Sequence, residues 1–291
     1  MIDLRSLIKA GVHFGHQKSR WCPKMAPYIW GHKNNVHLID VSKTAAQLEK
    51  AALFLEGIAS QGLPVLWVGT KKSAQASIEK IAIQLDMPYV NHRWIGGILS
   101  NFGQVKKSVT KLLYFEDVLE KSDKFPHYTK KEFNTFQKVV DRLQKNVGGI
   151  RKLTWPVGAL VLVDVNKEKA ARLEANRMGL PVVAIVDTNS DPSGVSYVIP
   201  ANDDAPRSIE VILEYLGKAT AQGAAKSTIK RAARAETVVA SEVTPEQQIA
   251  FTMGEDESEE SAKKKGAPTA SRRPADSARR APIRRPTIKK D

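Results

Sequence analysis

The sequence predicts an α/β fold in three layers, a parallel β-sheet covered by helices on both faces. Short continuous runs of Val, Ile and Leu, such as residues 159–163 and 181–186, lack alternating polar positions, as expected for strands buried on both faces. Segments with apolar residues at helical spacing separate these runs. One stretch, residues 102–152, instead predicts two helices with no strand between them, an inserted antiparallel helical hairpin.

Each element of the predicted sheet domain follows from its local pattern. Strands are assigned to short apolar runs, several of which end at Asp or Gly. The helix at 42–60 is assigned because Leu48, Ala52 and Leu55 recur at helical spacing. The predicted strands are 36–39, 64–68, 87–90, 159–163, 181–186 and 197–199. The other predicted helices of this domain are 73–85, 167–178 and 205–222.

The predicted hairpin carries an apolar seam along each helix. Seam residues recur at alternating spacings of three and four, as in a coiled coil, although Glu116 occupies one seam position. Residues 121–129, with Pro126, predict the turn, and the span 102–152 holds 12 Lys and Arg against 6 Asp and Glu. The seam residues are Phe102, Val105, Val109, Leu112 and Leu119, then Phe133, Phe136, Val140, Leu143, Val147 and Ile150.

The composition indicates a polyanionic partner. The 291 residues include 45 Lys and Arg against 31 Asp and Glu, a net charge of +14. Such a balance favours nucleic acid or, less often, an anionic membrane surface. The sequence has no apolar run long enough to span a bilayer and no secretory signal. Cys22 is the single cysteine, so we expect a cytoplasmic protein without intrachain disulfides.

The charge is not confined to the end of the chain. Residues 255–291 contain an acidic run followed by Lys- and Arg-rich stretches, and no aromatic residue follows Phe251. Such a segment buries too little apolar surface to offset its ordering entropy, so we predict disorder there. It carries a net charge of +4, which leaves +10 for residues 1–254. The body is therefore basic in its own right.

Two segments interleave basic and aromatic side chains. Residues 17–33 and 91–94 alternate Lys, Arg or His with Trp or Tyr. Cations contact phosphates, and rings stack on unpaired bases, so both segments are candidate RNA contacts. The alternative is a hydrophobic plug with ordinary surface charge, and the pattern alone leaves the two interpretations about equal.

Catalytic signatures are absent from the sequence: it has no Walker-type phosphate loop, no Gly-x-Ser-x-Gly elbow and no His-Glu-x-x-His. Asp164 and Asp187 end two predicted strands, and Asp191, Asp203 and Asp204 follow nearby. They could form a divalent-cation or nucleotide site, but caps of helices and turns are the favoured interpretation. If Asp187, Asp203 and Asp204 converge, a cation or a basic side chain must neutralise them. These three are weak metal candidates.

A zinc site is a weaker hypothesis. His13 and His16 are three residues apart and Cys22 follows, but a zinc site usually needs four ligands in paired spacings. The favoured alternative places His13 and Phe14 against the sheet, with His16 bonding a loop or RNA.

Several long motifs occur in order over residues 2–225. The motifs are residues 7–16, 23–37, 68–72, 91–97, 184–192 and 198–205. Together they resemble the family of small ribosomal subunit protein two, and their number makes a chance match very improbable. Departures from the family pattern are residues 155–158 and the Arg-rich tail.

The resemblance implies a flavodoxin-like parallel sheet in the strand order 2-1-3-4-5, with an inserted helical hairpin. It implies a protein of the small ribosomal subunit that has no enzymatic activity. The implied partners are ribosomal RNA and neighbouring ribosomal proteins, including ribosomal protein one. Beside the resemblance, we expect no cofactor other than a weakly bound divalent cation at the aspartates, and neither a membrane nor DNA as a partner. The rival hypothesis is an α/β enzyme or nucleotide-binding protein that uses the strand-end aspartates.

The residues and the resemblance together define the expected organisation. We expect an N-terminal RNA- or partner-contacting segment at 1–35, a sheet domain at 36–101 and 153–225, and the hairpin at 102–152. A helical or irregular extension at 226–254 and the tail at 255–291 follow. The candidate RNA-contacting residues are Lys18, Arg20, Lys24, Lys33, Lys71, Lys72, Arg93, Trp94, Lys106, Lys107, Lys111, Lys130, Lys131, Lys138, Arg142 and Lys145.

Overall fold

A computed structural model describes residues 3–121 and 128–241 of the chain. The strands are β1 (Phe14–Gln17), β2 (Ile29–Lys33), β3 (Val36–Ile39), β4 (Val65–Val68), β5 (Tyr89–Val90), β6 (Ala159–Val163), β7 (Val182–Val186) and β8 (Tyr197–Pro200). The α-helices are α1 (Leu4–Lys9), α2 (Val41–Ser60), α3 (Lys72–Gln84), α4 (Phe102–Glu120), α5 (Lys130–Val147), α6 (Lys169–Arg177) and α7 (Pro206–Ser241).

The central sheet is parallel and has the order β5-β4-β6-β7-β8. Numbered within this sheet, the order is 2-1-3-4-5, which confirms the expected topology. Every residue of β4, β6 and β7 is buried, because helices cover both faces. Alternate residues of β4 enter different apolar clusters: Trp67 packs with α2, α3 and α7, whereas Leu66 packs with α4, α5 and α6. The three-layer α/β prediction is therefore confirmed.

A second sheet of three antiparallel strands, in the order β1-β3-β2, lies at the start of the chain. The strand predicted at 36–39 is observed as β3, but it belongs to this sheet, which corrects its assignment to the parallel sheet. β1 and β2 were not predicted because neither shows a clear apolar alternation. Asn34 and Asn35, between β2 and β3, have φ values of 50° and 61°, as the two-residue hairpin turn requires.

The two helices predicted in residues 102–152 are observed as α4 and α5, which pack against each other, with Phe115 stacked on Phe136 at 5.2 Å. The seam departs from prediction near Glu116, whose carboxylate bonds Arg151, while Val118 is buried instead. A carboxylate is too costly to bury unpaired, so the helix turns Glu116 towards that cation. Part of the predicted turn, residues 122–127, lies outside the described residues. The buried seam residues are Val105, Val109, Leu112, Val140, Val147 and Ile150.

The last predicted helix is longer than expected. Helix α7 begins at Pro206 and continues to Ser241, whereas the apolar pattern predicted an end at residue 222. The predicted disordered tail at 255–291 lies outside the described residues. Within the ranges that the structure describes, no helix is both long enough and apolar enough to cross a membrane.

Candidate functional site

A charged cluster lies at the edge where the parallel strands end. Asp164 follows β6, Asp187 follows β7, and Asp203 and Asp204 follow β8. Lys71 stands just after β4. The carboxyl ends of parallel strands meet at one edge, so residues far apart in the chain come together there.

Lys71 is the main cation of this cluster. Its Nζ lies 2.6 Å from Asp203 Oδ1, 2.6 Å from Asp204 Oδ1 and 3.7 Å from Asp164 Oδ2. Burial opposes the charged ammonium, but the hydrogen bonds to Asp203 and Asp204 outweigh it and raise the pKa of Lys71 above its usual value. The ammonium is thus already held by carboxylates, which disfavours an RNA contact; the predicted contact of Lys71 with RNA stays a prediction.

His16 ties the N-terminal segment to the same cluster. Its Nδ1 lies 3.0 Å from Asp187 Oδ2, and its Nε2 lies 3.2 Å from Asp204 Oδ2. The hydrogen bond with Asp187 raises the pKa of His16, against the opposing effect of burial. The backbone N–H of His16 also donates to Thr188 Oγ1 at 2.8 Å. His16 is therefore bonded to the loop that follows β7, in agreement with the favoured interpretation that His16 bonds a loop.

Asp203 is the most deeply buried carboxylate of the cluster. It is fully buried, and its Oδ2 has no hydrogen-bond partner among the residues that the structure describes. Burial is the largest of the effects that raise the pKa of Asp203 to about 7; the charges of Asp187 and Asp164 act in the same direction, and Lys71 opposes them. The aspartates thus converge, and Lys71 and His16 are the basic side chains that such a convergence was expected to require.

The metal-capable atoms that come together differ from the predicted zinc set. In the part of the chain that the structure describes, His16, Asp203 and Asp204 can each offer one ligand atom within 4.8 Å of the others. Neither His13 nor Cys22 belongs to this group. His13 lies against Phe14, with ring centroids 4.1 Å apart. Carboxylate oxygens with one imidazole could hold a divalent cation, although Lys71 already bridges both carboxylates.

The basic side chains of the N-terminal segment lie at the surface. Lys18, Arg20 and Lys33 are exposed. Lys24 is also exposed, but its Nζ lies 3.0 Å from Asp191 Oδ2 and donates to Ser193 Oγ at 2.8 Å. Of this set, Lys24 is therefore the one whose charge is partly neutralised within the protein.

Aromatic side chains of the same segment differ in exposure. Trp30 on β2 is 75% exposed. Trp21 is much less exposed, and its ring lies 5.4 Å from that of His37. Trp30 therefore offers an open ring face to a partner.

The segment at 91–94 supplies one surface cation and one core aromatic residue. Arg93 is exposed, as is Lys72 at the start of α3. Trp94 is only 8% exposed, packs in the apolar cluster beneath the sheet, and donates from Nε1 to Glu174 Oε2 at 3.0 Å. Its ring is enclosed by the core and not offered to a base, which disfavours stacking on RNA; the predicted contact of Trp94 with RNA stays a prediction.

All eight candidate cations of the helical pair are exposed. Within residues 3–121 and 128–241, none of them makes an ion pair shorter than 4 Å, and Lys111 Nζ lies 5.8 Å above the ring of Phe115. The apolar seam faces inward while these charges face solvent. The eight are Lys106, Lys107, Lys111, Lys130, Lys131, Lys138, Arg142 and Lys145.

Comparison with known proteins places these features in one family. Residues 7–223 match the family model described as ribosomal protein S2. A curated relative, small ribosomal subunit protein uS2 of Xanthobacter autotrophicus (strain ATCC BAA-1158 / Py2), is 43% identical over 221 residues. The aligned region covers 76% of this chain and 66% of that relative, just under two thirds of its length.

Proposed function

This chain belongs to the ribosomal protein S2 family, and on that premise we propose that it is a structural, non-catalytic constituent of the small ribosomal subunit that binds ribosomal RNA. The non-catalytic role is supported by the strand-end carboxylates, whose charge is neutralised by Lys71 and His16 rather than left open to a substrate. The name of the 43% identical relative supports the small subunit as its place.

One observation carries the RNA-binding role. The apolar seam residues of α4 and α5 are buried against each other and against the sheet domain. All eight candidate cations are exposed to solvent, and none makes an ion pair among the described residues. Cations so placed can approach phosphates with no loss of core packing. Phosphate neutralisation supplies much of the affinity of proteins for nucleic acids. Lys18, Arg20, Lys33, Lys72 and Arg93 are the further exposed cations of the proposed interface.

The salt dependence of binding to small-subunit ribosomal RNA tests this role. Each phosphate contact contributes roughly 0.7 to 0.9 to the slope of log affinity against log salt. Replacing Lys106, Lys107 and Lys111 with Gln is expected to lower the magnitude of this slope by about two units if all three touch phosphate.

A matched control removes the same charge elsewhere. Lys43, Lys80 and Lys226 already pair with carboxylates of the chain, so their replacement with Gln should leave the slope nearly unchanged. A wild-type slope in the α4 variant would contradict the assignment and move the RNA site to the segment around Lys18 and Arg20.

We propose in addition that the chain helps to dock ribosomal protein one. An exposed tryptophan is typical of protein interfaces, and Trp30 has this exposure on the small antiparallel sheet. Trp30→Ala is expected to reduce co-sedimentation of ribosomal protein one with small subunits. Trp155→Ala, at another exposed tryptophan, should not. Equal retention of ribosomal protein one by both variants would contradict this role.

We propose that any divalent cation at the strand-end edge binds weakly, because Lys71 already bridges Asp203 and Asp204. A ligand present at its Kd stabilises a protein by only about 0.4 kcal/mol. Millimolar Mg²⁺ should therefore raise the thermal midpoint slightly, and not at all in the Asp203→Asn, Asp204→Asn variant. A large rise with micromolar Mg²⁺ would show a tight site instead.

A further inference from the structure

The segment from Trp94 to Asn101 connects the parallel sheet to helix α4. The side chains of Trp94, Ile98 and Leu99 are buried in the same apolar cluster as β6 and β7. Gly97 allows this path, since its φ of +97° lies in the region that favours glycine. The segment is therefore packed into the protein, and its backbone N–H groups need acceptors there.

A single carboxylate accepts three of these N–H groups. The backbone N–H groups of Leu99 and Ser100 donate to Glu174 Oε1 at 2.9 and 2.8 Å, and that of Gly97 donates to Oε2 at 3.2 Å. The Ser100 hydroxyl adds a bond to Oε1 at 2.9 Å, and Trp94 Nε1 adds one to Oε2 at 3.0 Å. Five hydrogen bonds thus converge on Glu174, a residue of α6, whose buried residues lie in the same apolar cluster as this segment.

The electrostatics of Glu174 match this arrangement. Its half-burial opposes ionisation, but the bonds from Ser100, Gly97 and Trp94 outweigh that effect and lower the pKa of Glu174 below its usual value. Hydrogen bonds to a charged acceptor are the strong ones. Asn101, the N-cap of α4, makes no side-chain capping bond. Apart from its buried apolar side chains, the connection into α4 is therefore held by Glu174, from outside the helix.

From this geometry we propose that Glu174 is a positioning residue for RNA binding. It fixes where α4 begins, and so sets the orientation of the basic faces of α4 and α5, and of Arg93, relative to the parallel sheet. This inference rests on the proposed function for its RNA part. Helix α4 has 19 residues, a length of about 28 Å. A change of roughly 10° at its first turn therefore moves its far end by about 5 Å, beyond the reach of a direct phosphate contact.

Glu174→Gln tests the positioning role directly. Glutamine keeps the size and one acceptor oxygen, but an NH₂ group then faces at least one set of these donors. The matched control is Glu56→Gln, which makes the same charge change at a carboxylate that pairs with Lys226. Ser100→Ala, which loses one of the five bonds, is a milder second variant in case Glu174→Gln unfolds the protein.

The first measurement needs no RNA. Spin labels at Ile83 of α3 and Leu113 of α4, which are 63% and 49% exposed, report the distance between the body and the helical pair in a Cys22→Ser background. We expect one narrow distance distribution in the parent and in Glu56→Gln, a broad one in Glu174→Gln, and an intermediate one in Ser100→Ala. An unchanged distribution in a folded Glu174→Gln protein overturns the proposal.

The second measurement is binding of small-subunit ribosomal RNA. Glu174→Gln is expected to weaken RNA binding about tenfold and to reduce the slope of log affinity against log salt. The loss of a carboxylate makes the chain more basic, which by itself would strengthen binding instead. Glu56→Gln should bind at least as tightly as the parent. In the Lys106, Lys107, Lys111 triple Gln background, Glu174→Gln should add little, because its effect passes through those lysines. A fully additive effect, or an unchanged slope, overturns the RNA part of the proposal.

The two measurements separate the possible failures. Absence of RNA binding by the parent protein would contradict the proposed function, and the distance measurement would still decide whether Glu174 orients the helical pair.

Discussion

Two regions of this protein are rich in charged side chains, but in one region the charges are paired inside the fold and in the other they face solvent. At the end of the parallel strands, Lys71 and His16 lie against four aspartates, so much of the charge is balanced within the fold. On α4 and α5, eight cations point to solvent, and over the described ranges none has an ion-pair partner.

The difference teaches that burial, more than residue type, decides what a charge is used for. A buried charge needs a partner inside the protein, because desolvation otherwise costs several kcal/mol. An exposed charge is solvated and can stay unpaired until a partner arrives. Lys71 and Lys72 are neighbours in the sequence, yet only Lys71 is surrounded by carboxylates. Net charge alone therefore does not identify a binding surface.

The largest effect is expected where the neutralised cluster is broken. Lys71→Met leaves Asp164, Asp203 and Asp204 without their ammonium partner, at an expected cost of about 4 kcal/mol in the free energy of unfolding. Urea denaturation measures it, with Lys72→Met as the neighbouring control, for which we expect a change below about 0.5 kcal/mol. Equal stability of the two variants would show that the cluster does not depend on Lys71.

A somewhat smaller effect is expected in the seam of the helical pair. Leu112 of α4 is fully buried in the apolar core, whereas the next residue, Leu113, is exposed. Leu112→Ala should cost about 3 kcal/mol through lost contacts and the cavity left behind, and Leu113→Ala should cost far less. If both variants unfold at the same urea concentration, the seam is not the part of this region that carries stability.

A pH-dependent effect is expected at Glu168, a buried carboxylate close to the cluster. Burial raises the pKa of Glu168, and its bonds from the Thr70 N–H and hydroxyl oppose the shift. Because the folded protein binds this proton more tightly than the unfolded chain, Glu168 contributes to the stability of the fold at low pH. This contribution is fully present below the pKa of the unfolded chain, about 4.5. It is lost as the pH rises through the raised pKa of the folded protein.

Glu168→Gln removes this titration. The stability of the variant relative to wild type should therefore increase between pH 4 and pH 8, as measured by urea denaturation at each pH. A constant difference across that range would show that Glu168 has the same proton affinity in the folded and unfolded chain.

The smallest effect is expected at the unpaired cations. Replacing Lys106, Lys107 and Lys111 with Gln should change the free energy of unfolding by less than about 0.5 kcal/mol, because exposed charges contribute little. A loss of several kcal/mol would mean that these lysines, like Lys71, have partners inside the fold, and the contrast between the two regions would disappear.

Local sequence patterns determined the parallel sheet and most of its helices. The runs at 159–163 and 181–186 have no polar residue to place on a solvent face, so both faces must be covered. The same logic predicted α4, α5 and the exposure of their cations, since the seam repeat determines which residues face inward. The small antiparallel sheet was missed because β1 and β2 lack a clear alternation, although Asn34 and Asn35 were a hairpin signal.

Only the tertiary structure decided which charged and aromatic residues meet. Lys71 and Asp203 are 132 residues apart, and Trp94 and Glu174 are 80 apart. Local periodicity records which face of an element is buried, but it holds no information about which distant element covers that face. The order of strands in the sheet, set by the packing of the whole chain, brings Lys71 among carboxylates and Trp94 into the core. Two residues that look like RNA contacts in the sequence are therefore internal parts of the fold.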